Sequence, residues 1–395
     1  MKESAIPHQS YSGIFLRFLK FGLLAWGGPV AQIAMIKQEL VEEERWIPVD
    51  RFNRALAVYQ VLPGPEAHEL CVYFGMLARG RIGAILAGLG FMLPGFLLML
   101  ALSWVYVTFG IRSPLAVAAF AAMQPAVAAL IVRAVHRIAR GALTDRWLWV
   151  AAILSAAAQL MGIHFAIVLS ATGLAYALIA IRRPTAALLV TACAVASAVY
   201  TVKFHSTLAV YAPVSAVLQT PTHLAIFLSG LKAGLLSFGG AYTTIPFLRQ
   251  DAVVAGAWMT DAQFLDGIAL SGILPAPFII FATFLGYVGG GPIGAILITA
   301  AIFLPAFGCT LIGHDYFERI AKDERLHAFL AGVTAGVVGL IAASAVLLVR
   351  EGVASLPALG IFALAFLILS LWHTRYAVPT VVLGAAAVGL LTSLI

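Results

Sequence analysis

The chain alternates long apolar runs with short polar connections, and the runs set the elements. Stretches near twenty residues, such as 82–109, 114–132 and 328–349, suit helices crossing a hydrocarbon core of about 30 Å. The ten-residue alternation of a membrane barrel is absent. Two runs are interrupted rather than ended. Trp26-Gly27-Gly28-Pro29 divides the run 14–43, and Pro63-Gly64-Pro65 divides the run 50–78. Pro63 removes a backbone donor and clashes with the preceding turn, Gly64 permits left-handed angles, and Pro65 suits the first position of a new helix. Each break is therefore also a start. The free N–H groups of Glu66, Ala67 and His68 are predicted to point into the gap, with the positive end of a helix dipole.

The pattern occurs twice. Leu274-Pro275-Ala276-Pro277 repeats Leu62-Pro63-Gly64-Pro65 at a spacing of 275 minus 63, or 212. The same spacing relates Lys20 to Lys232, Gly22 to Gly234, Gly27-Gly28 to Gly239-Gly240, and Trp46 to Trp258. After one deletion it becomes 211, aligning Leu93-Pro94 with Leu304-Pro305. The chain reads as a tandem duplication of a six-helix unit. The first unit has segments near 14–43, 50–78, 82–109, 114–138, 146–162 and 164–181; the second near 223–253, 261–288, 292–313, 325–349, 355–372 and 376–394. An apolar stretch at 185–202 supplies one more crossing between them.

The expected fold is thus an all-α polytopic membrane protein of about thirteen transmembrane segments. Its division is a first membrane unit at 1–184, a linking helix at 185–204 and a second unit at 205–395. An odd linker turns the second unit over, giving a tandem inverted repeat with discontinuous helices. Re-entrant hairpins at the breaks would change the count but keep the repeat.

Composition agrees: 62% of residues are hydrophobic and 10% charged, against roughly 25% charged in soluble domains. The start is polar and carries no cleavable signal pattern. The net charge of +7 is scattered between apolar runs, so it reads as topology rather than nucleic-acid binding. With the N-terminus cytoplasmic, inside loops collect Arg79 and Arg81, Arg133, Arg137, Arg140 and Arg146, Arg182 and Arg183, then Arg319, Lys322 and Arg325. Equivalent loops exchange charge: the four-Arg connection corresponds to one holding Arg350, and the connection at Arg112 to the basic one at 319–325. Cys71, Cys193 and Cys309 lie in apolar runs without ligand spacing, so no disulfide, metal site or cofactor is implied.

Discontinuous helices in inverted repeats are the pattern of secondary transporters that hold substrate near the midplane. The candidate substrate-binding residues are Gly27, Gly28, Pro29, Gln32, Pro63, Gly64, Pro65, Gly239, Gly240, Pro275 and Pro277. Helix starts favour an anion, but each contributes about 0.3 to 2 kcal/mol, whereas fully dehydrating an ion costs tens of kcal/mol. Lys20 and Lys232 are candidates for the missing charge, with snorkelling to the headgroups as the competing reading. Glu66 and Glu69 share one helix face and lack counterparts, which suits proton coupling; a plain helix cap is the alternative for Glu66. An arriving dianion is expected to favour the protonated form of Glu66, linking anion occupancy to proton uptake.

At these residues the sequence resembles a known family. Gly27-Gly28-Pro29-Val30-Ala31-Gln32, Gln38-Glu39-Leu40-Val41-Glu42, Leu62-Pro63-Gly64-Pro65-Glu66-Ala67 and Leu235-Leu236-Ser237-Phe238-Gly239-Gly240-Ala241-Tyr242 look like the chromate ion transporter family, long two-unit form. The resemblance covers nearly the whole chain. It implies a secondary active transporter that exports chromate across the cytoplasmic membrane on the proton gradient, with sulfate as a similar tetrahedral dianion. His68 stands where a neutral polar residue is expected. The implied partners are the oxyanion, protons and the lipid bilayer, with a homodimer left open. A membrane enzyme is the competing class, but no serine motif, His-rich cluster or nucleotide loop supports it.

Overall fold

The computed structural model describes residues 6, 9–60, 62–109, 113–209, 218–313, 323–372 and 374–393. Val61 and the loop charges Arg112, Arg319 and Lys322 lie outside the described residues. Within the described residues the fold is all helix. The segments are α1 (Tyr11–Leu23), α2 (Gly28–Ile36), α3 (Val49–Tyr59), α4 (Glu66–Thr108), α5 (Pro114–Ala142), α6 (Arg146–Leu160), α7 (Phe165–Ala180) and α8 (Pro184–Ala209). They continue as α9 (His223–Leu235), α10 (Ile245–Arg249), α11 (Asp261–Gly272), α12 (Phe281–Gly313), α13 (Glu324–Gly352), α14 (Leu356–Leu371) and α15 (Ala377–Ser393). Four stretches are long and apolar enough to cross a membrane, Glu66–Thr108, Pro114–Ala142, Phe278–Ile312 and Glu324–Gly352; shorter apolar helices accompany them.

Local chemistry explains the ends. Ser10 caps α1 by accepting from Gly13 N at 3.0 Å, and Thr222 caps α9 by accepting from Ala225 N at 3.2 Å. Thr260 and Gln263 form a reciprocal capping box at the start of α11. α1 has 13 residues. It therefore rises about 20 Å, short of a hydrocarbon core of about 30 Å. It stops where Gly27 and Gly28 take left-handed φ of +90° and +80°, and α2 restarts with Pro29 in its first turn. A π-helix, Lys37–Glu43, extends α2, and the second copy repeats this with Gln250–Ala255 after α10.

α4 and α12 each fold back on themselves. In α4 the backbone leaves the helical region at Arg79 (φ −149°, ψ 32°) and Gly80 (φ 62°, ψ −153°). In α12 the same turn recurs at Gly290 (φ −149°, ψ 23°) and Gly291 (φ 62°, ψ −155°). A side chain on Gly75 would collide with the carbonyl of Gly83, and one on Gly286 with that of Gly294. In a straight helix residues eight apart are separated by about 12 Å, so these contacts require a hairpin. Gly22 lies on the Phe91 carbonyl and Gly234 on the Ile302 carbonyl, which brings α1 onto α4 and α9 onto α12 at backbone distance.

The described residues of 1–133, 219–315 and 348–395 form one compact unit, and those of 134–218 and 316–347 form another. The first contains every break. In the second, Leu143, Leu148, Ala152, Ala335 and Val338 form a buried cluster. There Asp145 caps α6 by accepting from Trp147 N (2.7 Å) and Leu148 N (3.1 Å), and it accepts from Tyr176 Oη at 2.5 Å. Burial pulls its carboxyl up, but these hydrogen bonds and the Arg146 charge outweigh that and hold it below its ordinary value.

Candidate functional site

The breaks of the two copies meet through particular side chains. Gln32, buried on α2, donates its amide to Ala25 O at 2.9 Å and to Ala276 O at 3.2 Å. The first acceptor belongs to the Gly27-Gly28 break and the second sits between Pro275 and Pro277. Tyr242 stacks on Phe278 with ring centroids 4.1 Å apart, which joins the Gly239-Gly240 break to the Pro275–Pro277 break. Contacts around the proline pairs are reciprocal. A side chain on Gly95 would strike Ala276, and one on Gly64 would strike Ala306, the equivalent residues with the copies exchanged.

The glycines separate into two kinds. Gly27 is pressed against the Arg375 backbone. Gly64 (φ +153°) faces the Glu69 carboxyl, with Cδ and Oε1 both 2.8 Å from where its Cβ would be. Gly28 (φ +80°) and Gly240 (φ +108°), in contrast, meet no described atom within 4 Å. Equivalent positions of the two copies therefore face open space beside a helix start. In the second copy the restart is a 3-10 turn, Ala241–Thr244, where Thr243 and Thr244 hydroxyls donate to the Gly240 (2.6 Å) and Ala241 (2.7 Å) carbonyls.

Pro65 precedes the first residue of α4, so Glu66 stands half-buried at the helix start and Glu69 one turn further in. Glu69 and His68 are fully buried. Neither Glu69 oxygen has a hydrogen-bond partner among the described residues. The His68 ring lies 4.7 Å from Phe303 and 4.9 Å from Phe307, both on α12.

Both lysines are paired with an acid nineteen residues on. Lys20 Nζ lies 3.3 Å from both Glu39 oxygens, and Lys232 pairs with Asp251. Each pair ties a helix before the glycine break to the π-helix after it. Lys20 is 58% exposed and shares an open cleft of about 300 Å³ with Gln9, Gly13, Arg17 and Glu39. Arg17 pairs with Glu44 at 2.5 Å, and Trp46 donates to the same carboxyl at 2.7 Å. Burial pulls Glu44 up; these bonds and the Arg17 and Lys20 charges outweigh it, leaving the carboxyl below its ordinary value.

Sequence reasoning missed a buried acid. Asp266 on α11 is 6% exposed and accepts from Tyr106 Oη at 2.8 Å and Gln124 Nε2 at 3.0 Å. Its partners lie 160 and 142 residues away, and one acid in a helical run gives no periodic signal.

A family model described as "Chromate transporter" matches residues 12–197 and again 224–390. The chain is 56% identical over 392 residues to the chromate transport protein of Pseudomonas aeruginosa, covering 98% of this chain and 94% of the relative. It is 30% identical over 390 residues to the chromate transport protein of Cupriavidus metallidurans, covering 97% and 94%. No solved structure matches the chain.

Proposed function

The chain belongs to the chromate transporter family, and from that premise we propose that it exports chromate across the cytoplasmic membrane at the expense of the proton gradient. Family and apolar helices make it an integral membrane protein. The reading adds two six-helix units at 1–184 and 205–395, inverted about a linking helix at 185–204, with about thirteen crossings and the N-terminus in the cytoplasm.

The observation that carries the site is the open space at Gly28 and Gly240. Each lies beside a helix start without a bulky or acidic side chain of its own. A tetrahedral dianion is suited to such a place: backbone N–H groups supply direction, and a wet cavity avoids the full dehydration cost. Gln32, Pro29 and the proline pairs at 63–65 and 275–277 shape the opening. Lys20 and Lys232, each held by an acid, are the candidate source of formal charge.

Glu66 and Glu69 carry the coupling. An unpaired charge on Glu69 in its sealed position costs several kcal/mol, so closure over an empty site and a charged carboxylate exclude each other. Protonation of Glu69 from the outer side lets the empty transporter return inward, where the proton is released.

The test uses inside-out vesicles, labelled chromate and sulfate as competitor. Under export by exchange with protons, an acid lumen drives chromate in; accumulation driven by an alkaline lumen overturns the reading. Glu66→Gln and Glu69→Gln are expected to lose the response to the gradient.

A further inference from the structure

Two copies of one unit are expected to bury the same polar groups, and here they do not. Asp266 falls in α11, and the position 212 residues earlier is Arg54, which is exposed on α3. The acid is therefore special to the second copy, as Glu69, aligned with Phe281, is special to the first. It lies on the opposite side of its proline pair: Glu69 follows Pro65, whereas Asp266 precedes Pro275.

The surroundings of Asp266 are apolar apart from its two donors. α4 contributes Tyr106, whose ring packs edge-on against Phe284 of α12 at 4.9 Å, and α5 contributes Gln124. Phe284 also fills the space beside Gly267. α13 places Gly352 at Gln124 and Leu265, and α15 places Val378 and Val382 at Gly272. Among the described residues, Tyr106 is the titratable group that acts on the carboxyl, and no cation does. An acid retained in such a place, held by neutral donors rather than an ion pair, is placed to bind a proton reversibly.

We propose that Asp266 is a second proton-binding group of the transport cycle, whose charge state sets the grip of α4 and α5 on the helix leading into the Pro275–Pro277 break. The inference rests on the proton-coupled reading above. A carboxylate accepts from both Tyr106 and Gln124 in charge-assisted bonds, roughly twice as strong as neutral ones. Once protonated, one oxygen becomes a donor and the pair of bonds must rearrange. The consequence reaches the break because Ser271, at the end of α11, donates to Phe278 O across it at 3.0 Å, and because Ala276 O receives Gln32. The second copy thereby links proton occupancy to the Gly27-Gly28 side of the opening.

The experiment is chromate transport by the purified full chain in proteoliposomes with a trapped pH dye, across external pH and with an imposed gradient. Asp266→Asn is expected to lose chromate-dependent proton movement. Tyr106→Phe keeps the carboxyl but removes one donor to its charged form, so the pH midpoint of transport is expected to rise by about one unit. A purely structural role for Tyr106 would lower rates without moving that midpoint. Wild-type proton movement in Asp266→Asn overturns the proposal, as does an unmoved midpoint in Tyr106→Phe, which decides alone if the Asn variant fails to insert. A wild-type protein indifferent to the gradient overturns the proton-coupled reading itself, and this inference with it.

Discussion

Gln32 and Ala276 are 244 residues apart in the chain and 3.2 Å apart in the fold. The amide serves two buried carbonyls at once, so its loss strands two acceptors. Removing a buried partner costs about 1 to 3 kcal/mol per group. Gln32→Leu is expected to reduce chromate transport at least roughly tenfold, the equivalent of about 1.4 kcal/mol, with membrane insertion intact. Vesicle uptake normalised to inserted protein measures this, and wild-type rates in the Leu variant would show the clamp to be idle.

Gly28 and Gly240 permit a graded test. Alanine adds left-handed strain of about 1 to 2 kcal/mol at Gly28 and about 1 to 3 kcal/mol at Gly240, whose φ of 108° and ψ of 174° suit glycine almost alone, but it meets no described neighbour at either. Tryptophan fills the space. The Ala variants are expected to remain partly active and the Trp variants to insert but not transport. Equal loss in both sets would point to backbone strain rather than occupancy of the opening.

Inversion of the units predicts opposite accessibility at equivalent helix ends. Single cysteines beside Gly141 on α5 and beside Glu351 on α13 are expected to react with an impermeant thiol reagent from opposite faces. Labelling of both in right-side-out vesicles would falsify the inverted arrangement.

Asp145 provides a pH-dependent stability prediction. Its carboxyl is held below its ordinary value of 3.8, so its contribution is full above that value and disappears as pH falls through the folded-state value. Asp145→Ala removes the α6 cap and the Tyr176 acceptor, an expected cost of about 1 to 3 kcal/mol at neutral pH. Thermal melts of the variant and the wild type are expected to separate at pH 7 and converge as pH falls below 3.8. A gap that persists unchanged into acid would assign the loss to packing.

The breaks were legible because proline and glycine act locally, and the copy register was legible because it recurs in both units. In the fold, Gly80 and Gly291 take the same turn, and Lys20 and Lys232 each pair with an acid nineteen residues on. Even the single deletion has a local cause. The first copy restarts directly as α-helix at Glu66, while the second uses a 3-10 turn, Phe278–Ile280, whose rise of about 2.0 Å per residue covers the height with fewer residues. Partners were not legible. Glu39 and Asp251 fall inside the runs 14–43 and 223–253 with no spacing that pairs them with Lys20 and Lys232, and the Asp266 network depends on packing between helices far apart in sequence.

The reach of Gln32 also sets a schedule. Ala276 is synthesised 244 residues after it. At about 5 to 20 residues per second this is a wait of roughly 12 to 50 s. Gly64 waits almost as long for Ala306. Through that interval the first half resides in the bilayer with its glycine and proline breaks uncovered and the Gln32 amide short of one acceptor. The ribosome thus delivers a membrane protein whose early half must stay unfinished, yet soluble in lipid, until its late half arrives.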